Sequence, residues 1–171
     1  MTFARTATLV FVAALSVQRL FELGISRRHA QALRARGAIE HGREHFPLLV
    51  LVHVLLLVGI VLEVFVLGAR PPASWPLWAV VFAAGQLLRY AAIRALGDFW
   101  NVRVLVVPGA PLVRTGPYRF LRHPNYVAVV MELLAAPLIF GAWRTALVVS
   151  ALNALALWLR IRCEERALTT P

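Results

Sequence analysis

The chain has 171 residues, of which 60% are hydrophobic and only 15% charged, far more apolar surface than a soluble domain of this length needs. Ordinary soluble globular proteins are therefore excluded. The balance is strongly basic, with 18 arginines and no lysine against eight acidic residues. The arginines lie between apolar runs, so no nucleic-acid partner is expected. Cys163 allows no internal disulfide, and His41 and His45 lack a third ligand nearby, so no metal site is expected.

Five apolar segments have the length of membrane-spanning helices, since about 20 residues cross the hydrocarbon of a bilayer. They are residues 3–23, 46–67, 75–96, 126–140 and 142–159. The fourth is short, and Pro137 and Gly141 predict that it turns directly into the fifth as a tight helical hairpin. We therefore predict an all-α integral membrane protein with about five transmembrane helices, a cytosolic loop segment and a C-terminal helical hairpin.

The arginines also predict the orientation in the membrane, because short loops rich in arginine stay in the cytosol. Twelve arginines fall at 24–45, at 97–125 and in the C-terminal tail, and three fall on the other side. We expect a multi-pass protein of the cell membrane with its N-terminus outside and its C-terminus inside. Residues 1–96 would hold three spans with a basic cytosolic loop at 24–45. Residues 97–171 would form one unit of loop segment, hairpin and tail.

Charged side chains inside the predicted spans need a reason, because a charge at the bilayer centre is costly. Arg19 and Glu22 lie three residues apart on one helical face and can pair. Arg89 lies near the cytosolic end of its span and can extend to the interface. Glu132 lies two turns into the fourth span, where we expect a cavity open to the cytosol. Contacts that hold helices together, or extension to the interface, would account for Arg19, Glu22, Glu63 and Arg89. The alternative is an internal polar path of Arg19, Glu63, Arg89 and Glu132 in a non-enzymatic transport or scaffold protein.

The segment at 97–125 has too many turn residues for a continuous helix, and lipid cannot satisfy an irregular backbone. A short extended piece is expected within 102–107. The segment leads into GPYRFLRHPNY at 116–126, where Pro124 fits the first turn of a helix whose free N–H groups can hold a ligand. The polar and aromatic side chains around this helix start are Tyr118, Arg119, Arg122, His123, Asn125 and Tyr126. They suit a zwitterionic, aromatic ligand, and the alternative is a cationic membrane-surface loop.

A second polar cluster, RIRCEERAL at 160–168, lies where the last span leaves the membrane. On a helix, Arg160 and Glu164 lie four residues apart on one face. Taken alone, this pattern is typical of a salt-bridged, solvated helix end. Cys163 has no obvious activating partner and is interpreted as a packing residue.

Together these two stretches resemble the isoprenylcysteine carboxyl methyltransferase family, small integral membrane enzymes that use S-adenosylmethionine. The family pattern is a Leu-Val pair, Gly-x-Tyr, Arg-His-Pro-x-Tyr, a helical hairpin, and a closing Arg with a Glu-Glu pair. In this chain it reads Leu112 and Val113, Gly116 and Tyr118, 122–126, the hairpin, and Arg160 with Glu164 and Glu165. The resemblance covers about 97–168. One departure is Ala110, where many relatives carry a histidine.

The resemblance implies a site for S-adenosylmethionine, with S-adenosylhomocysteine as the product. The residues that it implies as cofactor contacts are the backbone of Leu112 and Val113, and Tyr118, His123, Pro124, Asn125, Tyr126 and Glu164. It also implies that Arg160 faces the acceptor, so Arg160 and Glu132 are the candidate catalytic residues. The glycine-rich turn of soluble nucleotide-binding folds is absent from the sequence.

The front half of the chain, with QRLFELGISRRH at 18–29, looks like a short bacterial branch of alkylpyrone or alkylresorcinol O-methyltransferases, which act on type III polyketide products. We therefore predict methyl transfer to an acidic hydroxyl or carboxylate of a lipophilic acceptor, such as an alkylpyrone-type polyketide or a prenylcysteine. The acceptor's tail is expected in a groove between the second, third and fourth spans. The alternatives are a phospholipid or amine N-methyltransferase and a non-enzymatic membrane protein. The expected partners are the acceptor and the bilayer, and no protein partner is evident.

Overall fold

Five helices and a short two-stranded ribbon make up the fold, which a computed structural model describes for residues 2–169. The elements are α1 (Thr2–Ala35), β1 (Ile39–His41), α2 (Phe46–Phe65), α3 (Trp75–Leu96), β2 (Val104–Val106), α4 (Pro124–Ile139) and α5 (Trp143–Thr169). Among the described residues, α1, α2, α3 and α5 are long and apolar enough to cross a membrane. α4 is a shorter apolar helix of 16 residues. The prediction of an all-α membrane protein is confirmed.

α1 is longer than predicted. The apolar pattern predicts a first span that ends at residue 23 and a loop at 24–45, but the helix continues to Ala35. The added residues are mainly Arg, Ala, Leu and Gln, which favour helix. Gly37 ends the helix in a left-handed conformation (φ 82°), with the Ala38 N–H donating to the Leu33 carbonyl at 3.0 Å. A helix of 34 residues is about 51 Å long, so its last turns extend beyond a hydrocarbon layer of about 30 Å.

The two strands join the N-terminal and C-terminal halves of the chain. They pair antiparallel, with Glu40 opposite Leu105. The extended piece expected within 102–107 is confirmed as β2. β1 was not predicted, because a strand of three residues shows no alternation in the sequence. The predicted basic loop at 24–45 is therefore mostly ordered structure, and it packs on the segment that precedes α4.

The predicted hairpin between the last two helices is present, and its turn is tight. Gly141 has a φ of 74°, and a Cβ added to it would lie 2.1 Å from the carbonyl oxygen of Arg70. Only glycine fits this conformation and this close approach. The turn therefore packs directly against the connection between α2 and α3.

The apolar core lies between α2, α4 and α5. Its most buried side chains are Val52, Leu56, Ile60, Leu133, Ala136, Ala142 and Val149. α3 packs closely along α4, where a Cβ added to Gly85 would lie 3.1 Å from the Met131 Cβ and 3.3 Å from the Ala128 carbonyl oxygen. Apolar side chains such as Val58 and Val80 are exposed on the outer faces, as expected for helices that face lipid.

A buried carboxylate joins α2 to the start of α5. Glu63, which is 4% exposed, accepts the backbone N–H of Thr145 and also its hydroxyl, at 2.6 Å. The first N–H groups of a helix have no partner within the helix and carry a partial positive charge. Glu63 therefore stabilises the first turn of α5.

Four charged side chains from three helices form a buried ion cluster. Glu132 of α4 accepts two hydrogen bonds from Arg89 of α3, at 2.7 and 2.6 Å, and one from Arg19 of α1, at 2.6 Å. Arg19 also pairs with Glu22 at 2.6 Å, as predicted, and Arg89 lies 3.5 Å from the same carboxylate. Two arginines and two glutamates make the cluster neutral, which limits the cost of burying its charges.

This cluster corrects the expectations for Arg89 and Glu132. Arg89 is only 4% exposed and does not extend to the interface. Glu132 is 3% exposed and does not lie in a cavity open to water. Extension to the interface and an open cavity would each have kept the charge in contact with water, whereas here the charges of neighbouring helices neutralise each other. For Arg89 the structure agrees with the other expected role, that of holding helices together. The cluster binds α1 and α3 to α4.

Glu132→Gln should leave two buried arginines with one carboxylate. Because breaking a buried ion pair costs about 3–5 kcal/mol, we expect a clear fall in the thermal unfolding midpoint in detergent. Glu44→Gln is the matched control, since the side chain of Glu44 is 72% exposed, and it should leave the midpoint unchanged.

The double variant Arg89→Met with Glu132→Leu removes one charge of each sign and leaves the Arg19–Glu22 pair neutral. It should therefore recover most of the lost stability. An unchanged midpoint in Glu132→Gln would mean that the ion cluster does not hold the helices together.

Candidate active site

A cavity of about 960 Å³ opens at the end of the bundle where α3 ends, α4 begins and α5 runs out. Its lining comes from residues 96–114, 118–126 and 160–168. The irregular segment between α3 and α4 therefore forms most of the wall. Among the described residues, none of those lining the cavity belongs to α2, and core side chains fill the space between α2 and α4. This cavity is therefore not the acceptor groove expected between the second, third and fourth spans, and that groove stays a prediction.

The structure brings most of the predicted site residues to this one cavity. Those that line it are Leu112, Val113, Tyr118, His123, Asn125, Tyr126, Arg160 and Glu164. Pro124 is buried at the first position of α4, where its missing N–H costs nothing, and it supports the wall from behind. Glu132 lies two turns further along α4 in the ion cluster, so it does not contact the space of this cavity.

A chain of hydrogen bonds on one wall of the cavity links two residues of α5 through one residue of α4. Arg160 donates from Nε to the hydroxyl oxygen of Tyr126 at 2.9 Å, and that hydroxyl donates to Glu164. The Arg160 guanidinium also lies 5.7 Å from the centre of the Tyr126 ring, within the range of a cation–π contact. Arg160 and Glu164 lie on one face of α5, as predicted, and Tyr126 links them. A cation and a carboxylate are thereby held at fixed positions on one wall.

The start of α4 carries a stacked aromatic pair. The rings of His123 and Tyr126 lie 5.2 Å apart between centres and are nearly parallel, at 13°. His123 Nε2 lies 3.5 Å from a carboxylate oxygen of Glu165. The sequence predicts that the first N–H groups of α4 are free to hold a ligand. Those of Tyr126 and Val127 instead donate to the His123 carbonyl, at 3.0 and 3.2 Å, so they are not available. This turn therefore offers a ligand its side chains rather than these two N–H groups.

Tyr118 stands in the short 3-10 turn before α4 and lines the same cavity. Burial, together with the nearby charge of Glu164, raises the pKa of Tyr118. Its hydroxyl therefore stays protonated at neutral pH and can donate a hydrogen bond.

The part of the wall at residues 99–104 was not predicted, and α1 holds it in place. The Ser26 hydroxyl donates to Asn101 Oδ1 at 3.0 Å, and Asn101 Nδ2 donates to the Ser26 carbonyl at 2.8 Å. His29 donates from Nδ1 to the carbonyl of Trp100 at 2.8 Å. Ser26 and His29 are polar residues on the unpredicted extension of α1. These two polar side chains are the signal in the sequence that could have indicated a contact. Their partners could not be identified from it, because they lie more than 70 residues away along the chain.

An ion triad connects the two strands beside this wall. Glu40 of β1 accepts hydrogen bonds from Arg34, at 2.6 Å, and from Arg103. Arg103 lines the cavity, and its guanidinium lies 4.7 Å from the centre of the Phe46 ring. Partial burial alone would raise the pKa of Glu40, but the hydrogen bonds from Arg103 and Arg34 lower it. Residues of the N-terminal half therefore orient a cation of the cavity.

The charges that line the cavity are predominantly positive. The charged residues among its lining are Arg103, Arg114, Arg119, Arg122 and Arg160, against Glu164 and Glu165. Glu164 also belongs to the hydrogen-bond chain of Arg160 and Tyr126. The excess of arginine favours a ligand, or a part of one, that carries negative charge.

The fold and the cavity define a helical membrane protein with a polar ligand site at one end of its bundle. The chain belongs to the isoprenylcysteine carboxyl methyltransferase (ICMT) family, whose sequence profile matches residues 78–170. This range contains α4, α5 and the segment before them, which supply nearly the whole cavity lining. The resemblance stated from the motifs is confirmed. The family is one of membrane methyltransferases.

Two relatives extend the similarity to the N-terminal half. The protein named "Uncharacterized protein YpbQ" of Bacillus subtilis (strain 168) is 39% identical over 159 residues, which are 93% of this chain and 95% of that protein. A protein of Haemophilus influenzae (strain ATCC 51907 / DSM 11121 / KW20 / Rd), named "Uncharacterized protein", is 32% identical over 154 residues, 88% of each chain. No solved structure matches the chain.

Glu40→Gln should destabilise the protein at pH 7 by weakening the ion triad. The pKa of Glu40 is lowered in the folded state. The ionised Glu40 side chain therefore stabilises the folded protein fully above the carboxyl's ordinary pKa of about 4.3. This stabilisation is lost as the pH falls through the lowered pKa of the folded state. Thermal unfolding at a series of pH values should therefore show the two proteins converging at low pH. A difference that stays constant down to about pH 3 would contradict the role of the Glu40 charge.

Proposed function

We propose that this protein is an S-adenosylmethionine-dependent methyltransferase that methylates an oxygen of a lipophilic, acidic acceptor. The observation that carries the proposal is the hydrogen-bonded chain of Arg160, Tyr126 and Glu164 in a large cavity, within a chain of the ICMT family. It offers a carboxylate for a cationic donor molecule beside a guanidinium for an anionic acceptor.

The residues of the cavity fit S-adenosylmethionine, which has an adenine ring, a carboxylate, an ammonium group and a sulfonium. The volume of about 960 Å³ leaves room for the cofactor and for an acceptor's head group. Glu164 would hold a cationic group, and the stacked rings of His123 and Tyr126 provide an aromatic surface for adenine. Asn125 Oδ1 is buried without a hydrogen-bond partner among the described residues, as expected for an acceptor that a ligand's donor satisfies.

When bound, this cofactor supplies an electrophilic methyl group, which bonds to the acceptor oxygen as the methyl–sulfur bond breaks and the electron pair stays on sulfur, giving S-adenosylhomocysteine. The protein's own task is alignment, and fixed orientation can contribute about 7–11 kcal/mol toward such a barrier. Arg160 would hold the acceptor anion by charge-assisted hydrogen bonds. An acidic hydroxyl or carboxylate is already ionised near neutral pH, so the reaction needs no general base.

We infer an acceptor with a long apolar tail, because the cavity lies at the end of helices that cross the membrane. An alkylpyrone-type polyketide and a prenylcysteine both combine such a tail with an ionisable oxygen. The excess of arginine on the cavity wall favours oxygen over an amine acceptor, since an amine would need an acidic partner. The arginine-rich segments support a cytosolic position for this end of the bundle, with the N-terminus outside, because short loops rich in arginine tend to stay in the cytosol.

A rival function is a non-enzymatic transport or scaffold protein with an internal polar path. The polar residues proposed for such a path now have partners: Arg19 and Arg89 each bind Glu132, and Glu63 binds Thr145. Phospholipid N-methylation is the rival within enzymes, and phosphatidylethanolamine as acceptor tests it.

Glu164→Gln should weaken the binding of S-adenosylhomocysteine by about tenfold or more, because a hydrogen bond to a charged group contributes about 1.5–3 kcal/mol. Isothermal titration of the detergent-solubilised protein measures this. Glu44→Gln, which changes an exposed carboxylate in the same way, should bind like wild type. A wild-type protein that does not bind S-adenosylhomocysteine saturably would refute the proposed function.

Arg160→Ala should abolish methyl transfer, because the acceptor anion loses its cation, while the affinity for S-adenosylhomocysteine stays within about threefold of wild type. Transfer of labelled methyl from S-adenosylmethionine is measured to a long-chain 4-hydroxy-6-alkyl-2-pyrone, to N-acetyl-S-farnesylcysteine and to phosphatidylethanolamine. Arg160→Lys keeps the charge but loses the planar donor fork, so partial activity is expected. Loss of cofactor affinity with normal transfer at saturation would reverse the assigned roles.

A further inference from the structure

An apolar edge lies beside the mouth of the cavity, just before α4. Phe120 is 83% exposed and Leu121 is 39% exposed, although neither belongs to a membrane-spanning helix. Phe120 stands four residues before Pro124, the first residue of α4. A chain extends at most about 3.6 Å per residue, so Phe120 lies within roughly 14 Å of the helix start. Phe120 and Leu121 are adjacent in the chain, and exposed apolar side chains that adjoin one another and are rimmed by polar residues are typical of interaction sites.

The stretch of chain around this edge is basic. Between Asp98 and Glu132 the chain has four arginines and no acidic residue. Two of these arginines, Arg119 and Arg122, flank the apolar pair directly, and the Arg119 guanidinium lies 5.8 Å from the centre of the Phe120 ring. Apolar side chains flanked by arginines fit the boundary between acyl chains and anionic head groups.

We propose that residues 119–122 dock into the head-group layer of an anionic phospholipid membrane. Phe120 and Leu121 enter the boundary of the acyl chains, and Arg119 and Arg122 bind lipid phosphates. Two observations select lipid as the occupant: the edge is continuous with a helix of the membrane bundle that begins a few residues later, and its charge complements anionic lipid.

The docking would set the position of the cavity relative to the membrane. Arg119 and Arg122 line the cavity as well as flanking the apolar edge. Lipid phosphates at these arginines would therefore lie at the rim of the cavity. This inference goes beyond the proposed function, because it needs neither a methyl donor nor an acceptor.

A nitroxide label at position 120 tests the proposal. The label is attached to Phe120→Cys in a Cys163→Ser background, and the protein is placed in vesicles of phosphatidylcholine with phosphatidylglycerol. We expect the label to be reached severalfold more readily by oxygen, which concentrates in lipid, than by a water-soluble nickel chelate. A label on Glu44→Cys is the matched control, since Glu44 likewise lies just before a helix, two residues ahead of α2, but is polar, and it should show the opposite preference.

Hydrogen exchange of the unlabelled wild-type chain gives a second measurement that no substitution can disturb. Amides of residues 116–123 should exchange severalfold more slowly in nanodiscs that contain phosphatidylglycerol than in nanodiscs of phosphatidylcholine alone. A label at 120 that is as open to the nickel chelate as the label at 44 would overturn the proposal and leave the edge free for a protein partner. Equal exchange in both lipids would overturn the role of anionic lipid. Neither result depends on cofactor binding or turnover.

Discussion

Lipid offers no hydrogen-bond partner, and this constraint determines how α4 is held. α4 carries the carboxylate of Glu132, whose charge must be neutralised inside the protein. Arg19 of α1 and Arg89 of α3 neutralise it. The resulting ion cluster fixes the position of α4 along the bundle axis relative to α1 and α3. Tyr126 lies six residues before Glu132, about 9 Å along the helix, so the cluster also fixes the wall of the cavity. Glu132 thus positions the cavity wall, although its side chain does not contact the cavity.

The cavity depends on both halves of the chain, although its lining comes almost wholly from the second. Ser26 and His29 of α1 bind the segment around Asn101, and Glu40 of β1 orients Arg103. An N-terminal half that served only as an anchor would need none of these contacts. They give a physical reason why the similarity to the Bacillus protein extends over 93% of the chain, whereas the family profile matches 78–170.

The sequence was sufficient where the information is local. Apolar length predicted the spans, and Pro137 with Gly141 predicted the hairpin, because each acts within a few residues. The resemblance to the family further implied that Tyr118, Tyr126 and Glu164 share one site, and all three line the cavity. The sequence was insufficient where a partner lies far along the chain: the pairing of β1 with β2, the partners of Glu132 and the support of Asn101 all join segments more than 40 residues apart.

Tyr126 joins the two halves of the proposed reaction, because its hydroxyl accepts from Arg160 and donates to Glu164 at the same time. An acceptor anion that draws the guanidinium toward itself weakens the first of these bonds, and a cationic cofactor that draws the carboxylate weakens the second. Each ligand therefore changes the group that faces the other. Binding of the two should be coupled, and by thermodynamic reciprocity the acceptor must alter cofactor affinity by the same factor as the cofactor alters acceptor affinity.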